Sequence, residues 1–138
     1  ELERLIRPSG FFKQKAQYVK NIVAFFQRYR GDLTLFEDLS TRELRRMLLA
    51  IKGIGAETAD VMLLYIFNRK VFIADTYAQR LFQRLGFGEY KSYAAMKKDF
   101  DHLVADISLK QCKEWHACID IHGKAFRQNN ILDERFLW

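Results

Sequence analysis

The chain has 138 residues, 49% hydrophobic and 14% aromatic, with 12 Phe, 7 Gly and one Pro, which suits one domain with a packed core and excludes a disordered chain. A formal charge of +6 favours a polyanionic partner without proving one. No apolar run approaches the ~20 residues of a membrane span, and two cysteines without a CxxC pair suit a reducing cytosol and give a zinc or iron–sulfur site no support.

Taken in chain order, Glu1 lies inside an amphipathic run and no signal-peptide pattern opens the chain, so it is expected to begin partway through a longer protein. Phe12, Ala16, Val19, Val23 and Phe26 recur at helical spacing, and Gly31 stops that helix. Leu33 to Leu39 reads as an irregular connector. Ser40 and Glu43 form a capping-box signature that starts a helix with Leu44, Met47, Leu48 and Ile51 inward. After the Gly53-Ile54-Gly55 break, residues 56–67 read as a helix that is apolar nearly all round, hence buried. Val71 to Asp75 is a short extended stretch with no partner strand. Helices are expected at 76–85, 92–106 and 108–127. Their inward positions are Ala78, Leu81, Phe82 and Leu85; then Met96, Phe100, Leu103, Val104 and Ile107; then Cys112, Trp115, Ile119 and Phe126. Tyr65 and Trp115 read as core. The fold class is all-α, one helical bundle over residues 1–138.

The segment that carries chemistry is Leu49-Ala50-Ile51-Lys52-Gly53-Ile54-Gly55-Ala56-Glu57-Thr58-Ala59-Asp60. Two glycines flank one aliphatic residue between helices. Glycine permits positive φ and close backbone approach. Free amides and the positive dipole end of the second helix suit a phosphate. Ile54 can anchor the turn, and Lys52 can add charge beside the phosphate. By itself a Gly-x-Gly turn is more often a plain αα-hairpin.

The longer string resembles the L-P-G-(I/V)-G-x-x-T-A hairpin of the endonuclease III superfamily, the helix-hairpin-helix DNA glycosylases, with Lys52 where the family has Pro. The resemblance runs both ways along the chain. Phe72-Ile73-Ala74-Asp75-Thr76 is similar to the family's (I/V)-(V/A)-D-T, and Trp115 to Lys124, with His122-Gly123, to its last barrel helix. Gly10 to Ala16 is similar to its G-(L/F)-x-x-x-K-A segment. The resemblance implies an all-α glycosylase fold that lacks the helices preceding this segment, leaving a surface exposed that they would cover. It implies damaged duplex DNA as partner, no membrane, a monomeric full-length enzyme, association open to the truncated chain, and a cytoplasmic, nucleoid-associated location.

The chemistry implied is flipping of a nucleotide and cleavage of its base–sugar bond through an oxocarbenium-like sugar. Asp75 is the implied carboxylate that stabilises this charge; from the residues alone it reads as an N-cap for the next helix. Lys52, Gly53, Ile54, Gly55, Ala56, Glu57 and Thr58 are the implied DNA-binding hairpin. Backbone carbonyls of Ile51 and Ile54 are an implied monovalent-cation site, with no metal held by side chains. Phe11 matches the position that wedges into the duplex, against a reading as a core residue. Lys13 and Lys15 are implied phosphate contacts, against solvated helix charges. Lys124 is an implied active-site neighbour, and His116 and His122 receive no role. Bifunctional members carry a lysine before the Thr-Ala of the hairpin; Glu57 stands there and cannot form an imine. With no four-cysteine loop either, the resemblance is closest to the cluster-free branch that removes alkylated purines such as 3-methyladenine. A monofunctional glycosylase without cofactor or iron–sulfur cluster is therefore expected. The alternatives are a non-catalytic DNA-binding module, which needs the hairpin but not Asp75, and a pyrimidine-damage or adenine-mismatch glycosylase.

Overall fold

The computed structural model describes residues 1–128 and 134–137, which are helical or irregular, with no strand among them. The chain divides into two compact units, residues 1–63 and 64–138.

The first unit holds α1 (Leu2–Leu5), α2 (Phe12–Arg28), α3 (Thr41–Leu49) and most of α4 (Ala56–Tyr65). The face that α2 buries differs from the one its valines suggest. Val19 and Val23 stay exposed, whereas Ala16 and Phe25 are buried and Tyr18, Ile22 and Tyr29 are half-buried. A second stripe, Tyr18, Ile22, Phe25 and Tyr29, also has helical spacing. Its aromatics remove more apolar area from water than two valines can. Phe25 packs on Tyr29 and Phe36, with ring centroids 5.2 and 5.8 Å apart. Left-handed Arg30 and Gly31 turn the chain after α2, the Gly31 N–H donating to the Phe26 carbonyl at 3.0 Å.

The connector is better ordered than its composition suggests. Asp32 accepts from the Thr34 N–H at 3.0 Å and opens a short 3₁₀ turn, Leu33–Phe36, which buries Phe36. Ser40 and Glu43 make both halves of the capping box on α3. Leu44 and Leu48 are fully buried beneath it. Helix α4 stops at Tyr65, two residues short of the sequence expectation, and Tyr65 itself is 41% exposed rather than core. Among the apolar side chains of α4 lies Asp60, wholly inaccessible to water. Arg45 from α3 satisfies it bidentately, Nε to Oδ1 at 2.7 Å and Nη2 to Oδ2 at 3.1 Å. A buried carboxylate requires such a partner.

The second unit starts at the end of α4, and the buried extended segment, residues 71–75, follows. Side chains satisfy its backbone where a partner strand would otherwise be needed. The Phe72 N–H donates to Asp101 Oδ1 at 2.9 Å, its carbonyl accepts from Lys97 Nζ at 3.3 Å, and the Ala74 carbonyl accepts from Gln79 Nε2 at 2.9 Å. Then come α5 (Thr76–Arg84), α6 (Tyr93–Phe100), a 3₁₀ turn (Asp101–Val104), α7 (Leu109–Arg127) and a last 3₁₀ turn (Glu134–Leu137).

The single helix expected over 92–106 breaks at Asp101, whose carboxylate holds both the Phe72 amide and Lys97. Ser108 and Gln111 form a second capping box on α7. That helix packs on α5. At the crossing a Cβ on Gly123 would lie 2.3 Å from Tyr77 Cδ1, so only glycine fits beside the Tyr77 ring. Two residues expected in the core of α7, Trp115 and Phe126, are each 39% exposed. The Phe126 ring is covered instead by the Arg84 guanidinium, 3.8 Å from its centroid. Such a cation–π contact shields a ring without deep burial.

Candidate functional site

The hairpin between α3 and α4 is a rigid turn with an exposed rim. The Ile54 N–H donates to the Ile51 carbonyl at 3.0 Å, and both isoleucines are buried anchors. Between them Gly53 has φ +99°, and a Cβ there would overlap the Tyr18 ring, 2.0 Å from Cδ1. Glycine is thus required twice, by the dihedral and by the aromatic ring under the turn. Asn21 Nδ2 donates to the Lys52 carbonyl at 2.8 Å and ties the turn to α2. Lys52, Gly53, Gly55, Glu57 and Thr58 are exposed, and Ala56 is half-buried. The first-turn amides of α4 lie outside the helix's own ladder, which starts with the Ala59 N–H on the Gly55 carbonyl at 2.9 Å. Glycines and the first-turn amides of α4 thus stand together on that rim.

Phe11 also belongs to the first unit. It precedes α2 in the left-handed conformation, φ 48°, and is 83% exposed, which removes its reading as a core residue. Lys13 and Lys15 are both exposed on the first turns of α2, and Lys15 Nζ donates to the Ser9 carbonyl.

Asp75 lies in the second unit at the head of α5. Its carboxylate is divided between two tasks. Oδ1 accepts the Ala78 N–H at 2.8 Å and caps the helix. Oδ2 faces His116 Nε2 at 3.8 Å. The other ring nitrogen of His116, Nδ1, is 2.7 Å from Tyr65 Oη. Tyr65 Oη also lies 3.4 Å from the Lys113 carbonyl. Burial, and then the negative Asp120, push the Tyr65 hydroxyl above the ordinary phenol range, so it stays protonated at neutral pH.

Lys124 pairs with Asp120 at 2.6 Å. That hydrogen bond and charge raise its ammonium above the usual lysine value, with smaller contributions from Tyr77 and Asp75. Lys124 therefore stands within the field of Asp75. His122 points elsewhere, its Nε2 2.6 Å from Glu134 Oε1, where Arg84 also binds. Among the described residues no group of three or more His, Cys, Asp or Glu side chains is arranged to hold a metal.

Sequence reading gives His116 no role and takes Tyr65 for core. A signal for His116 is present: Cys112, His116, Ile119 and Gly123 share one helical stripe, and its ends are buried. Tyr65 has no comparable signal, because the second half of α4 is apolar all round.

An all-helical chain with a Gly-x-Gly hairpin, followed by a helix-capping aspartate, defines a class. Residues 1–106 match the family described as the HhH-GPD superfamily base excision DNA repair protein, and the chain belongs to that family. It is 39% identical, over 96% of its length and 61% of the relative's, to a protein of Methanocaldococcus jannaschii named provisionally as a DNA repair glycosylase. It is 42% identical to an endonuclease III of Sulfolobus acidocaldarius, over 86% of this chain and 51% of that one. The solved structure of MBOgg1 in complex with a low-affinity DNA ligand superposes on 91% of this chain and 42% of that chain, with a TM-score of 0.67 at 20% identity, a likeness of fold. The chain thus spans about half to three-fifths of the length of these curated relatives.

Proposed function

We propose that the protein is a monofunctional DNA N-glycosylase that hydrolyses the base–sugar bond of alkylated purines in duplex DNA. The observation that carries the reading is the divided carboxylate of Asp75, with one oxygen committed to the α5 cap and the other directed away from it. A helix cap needs only the first. The second is free to stabilise positive charge developing on a sugar ring. A helix N-terminus also favours the ionised carboxylate that this requires.

The exposed rim of the hairpin supports DNA as the partner. Its glycines and first-turn amides suit a phosphate, with Lys52 adding charge. Phe11, Lys13 and Lys15 present an apolar tip and two cations to the same kind of ligand, and the exposed phenyl ring suits a wedge beside a flipped nucleotide. Turn carbonyls at Ile51 and Ile54 would hold a monovalent cation that screens the phosphate charge. No step proposed here draws on an iron–sulfur cluster; Cys112 and Cys118 both lie on α7, and a cluster takes about four thiolates. The enzyme then acts as a monomer on nucleoid DNA in the cytoplasm.

Glu57 occupies the hairpin position where a lysine would form an imine, so strand cleavage is not expected. Alkylated purines suit this equipment because they are already cationic and leave without a strong general acid. The 42% identity to an endonuclease III favours a second reading, a glycosylase for damaged pyrimidines on the same site.

The test is base release from methylated duplex DNA by the full-length protein and its Asp75→Asn variant. Release should fall about 100- to 1,000-fold in the variant, and strand breaks should appear only after alkali. Breaks without alkali would overturn the monofunctional reading. Release from an oxidised-pyrimidine duplex but not from methylated DNA would establish the second.

A further inference from the structure

We propose that His116 is a positioning residue for Asp75, held by Tyr65 in the tautomer that carries its proton on Nε2. The inference rests on the catalytic reading of Asp75 above. With Oδ1 fixed by the Ala78 N–H, the remaining freedom of the carboxylate lies at Oδ2, the oxygen that faces His116 Nε2 at 3.8 Å. An ionised carboxylate only accepts hydrogen bonds. A lone pair on Nε2 would repel it, and an N–H attracts it. Neutral imidazole has one N–H, so Nδ1 becomes an acceptor, and Tyr65 Oη at 2.7 Å donates to it. The opposite tautomer would set a lone pair against Oδ2. It would also send the Tyr65 proton to the Lys113 carbonyl at 3.4 Å, at the long limit of a hydrogen bond.

The three groups come from different elements: Tyr65 from the end of α4, Asp75 from the head of α5 and His116 from the middle of α7. The His116 and Asp75 side chains that face each other are sheltered, 19% and 11% exposed, while Tyr65 lies toward the surface. An Nε2–H dipole at this distance orients Oδ2 while the carboxylate keeps its own charge. That leaves the charge available for an oxocarbenium-like sugar, which a direct ion pair with a cation would diminish. His116 need not touch substrate, so its part is to position.

The tautomer is read directly by long-range ¹H–¹⁵N correlation spectra of the full-length protein. We expect Nε2 of His116 to be protonated and Nδ1 bare, and Tyr65→Phe to shift population toward Nδ1–H. A wild-type ring protonated on Nδ1 would overturn the inference. Single-turnover base release gives the second readout. His116→Ala should slow release about 100-fold, the scale of a misplaced catalytic group, with DNA affinity unchanged and the protein still folded. His116→Gln should restore most of that rate, because its Nε2 donates to Asp75 while its Oε1 accepts from Tyr65. Equal loss in both variants, or no loss in His116→Ala while Asp75→Asn is inactive, would overturn the role of His116 and leave that of Asp75 standing. Full activity in Asp75→Asn would overturn both.

Discussion

Single residues in this molecule carry sharply different burdens, and the two hairpin glycines show how the difference can be measured. Gly53 combines a left-handed φ with the Tyr18 ring where a side chain would begin, whereas a Cβ on Gly55 would meet open space. Gly53→Ala should therefore lower stability by about 2 kcal/mol or more, read as a fall in Tm. Gly55→Ala should leave Tm nearly unchanged and weaken DNA binding, because its methyl group would stand on the rim that a phosphate must approach. Equal effects of the two substitutions on Tm would contradict this division. Asp60 is a third case. Substitution by Ala would remove the bidentate partner of Arg45, whose side chain is 29% exposed. A loss of about 1–3 kcal/mol is expected in denaturant unfolding, the usual cost of taking one partner from a hydrogen-bonded pair.

At the scale of elements, helix starts are legible in the sequence and helix faces less so. Ser40 and Glu43 announce α3 in four letters, and the box forms as written. The same signature stands at Ser108 and Gln111, although the sequence reading gives only the start of α7 there and does not name the box. Replacing Ser108 by Ala should cost about 1 kcal/mol by thermal melting. The faces of α2 and α7 defeat simple periodicity because each carries more apolar residues than one stripe can bury. On α2 the aromatic stripe is the one buried, and on α7 Phe126 is shielded by a guanidinium instead of by the core. The break at Asp101 is illegible for another reason. Its cause is a carboxylate bound to the amide of Phe72, a residue far away in sequence. Asp75 is legible as a cap, and the family motif singles it out as the reactive group that we propose. Its neighbour His116 is placed by tertiary packing.

For the molecule as a whole, acid stability is tied to the C-terminal 3₁₀ turn. Glu134 is bound by Arg84 and then by His122, which hold its carboxyl down at about 2 from an ordinary 4.5. A carboxyl depressed in the folded state adds stability above its unfolded value and loses that contribution as pH falls through the folded one. Native stability should therefore decline between about pH 4.5 and 2. In Glu134→Gln it should be lower at neutral pH and flatter over that acid range, as followed by denaturant titrations at each pH. An unchanged acid limb would show that the Glu134 contacts contribute nothing to global stability.

The double duty we propose for Asp75 bears on how variants of this protein would fare in a cell. Asparagine caps a helix about as well as aspartate, and alanine does not. The Asp75→Asn enzyme should thus accumulate to normal levels while failing at its chemistry, whereas the Asp75→Ala enzyme loses its cap as well and should be cleared more readily by cellular proteolysis. A screen that scores abundance would flag the second and pass over the first. A screen that scores survival under alkylating agents would group them together. Only the two screens combined would distinguish an enzyme that is missing from one that is present and inert.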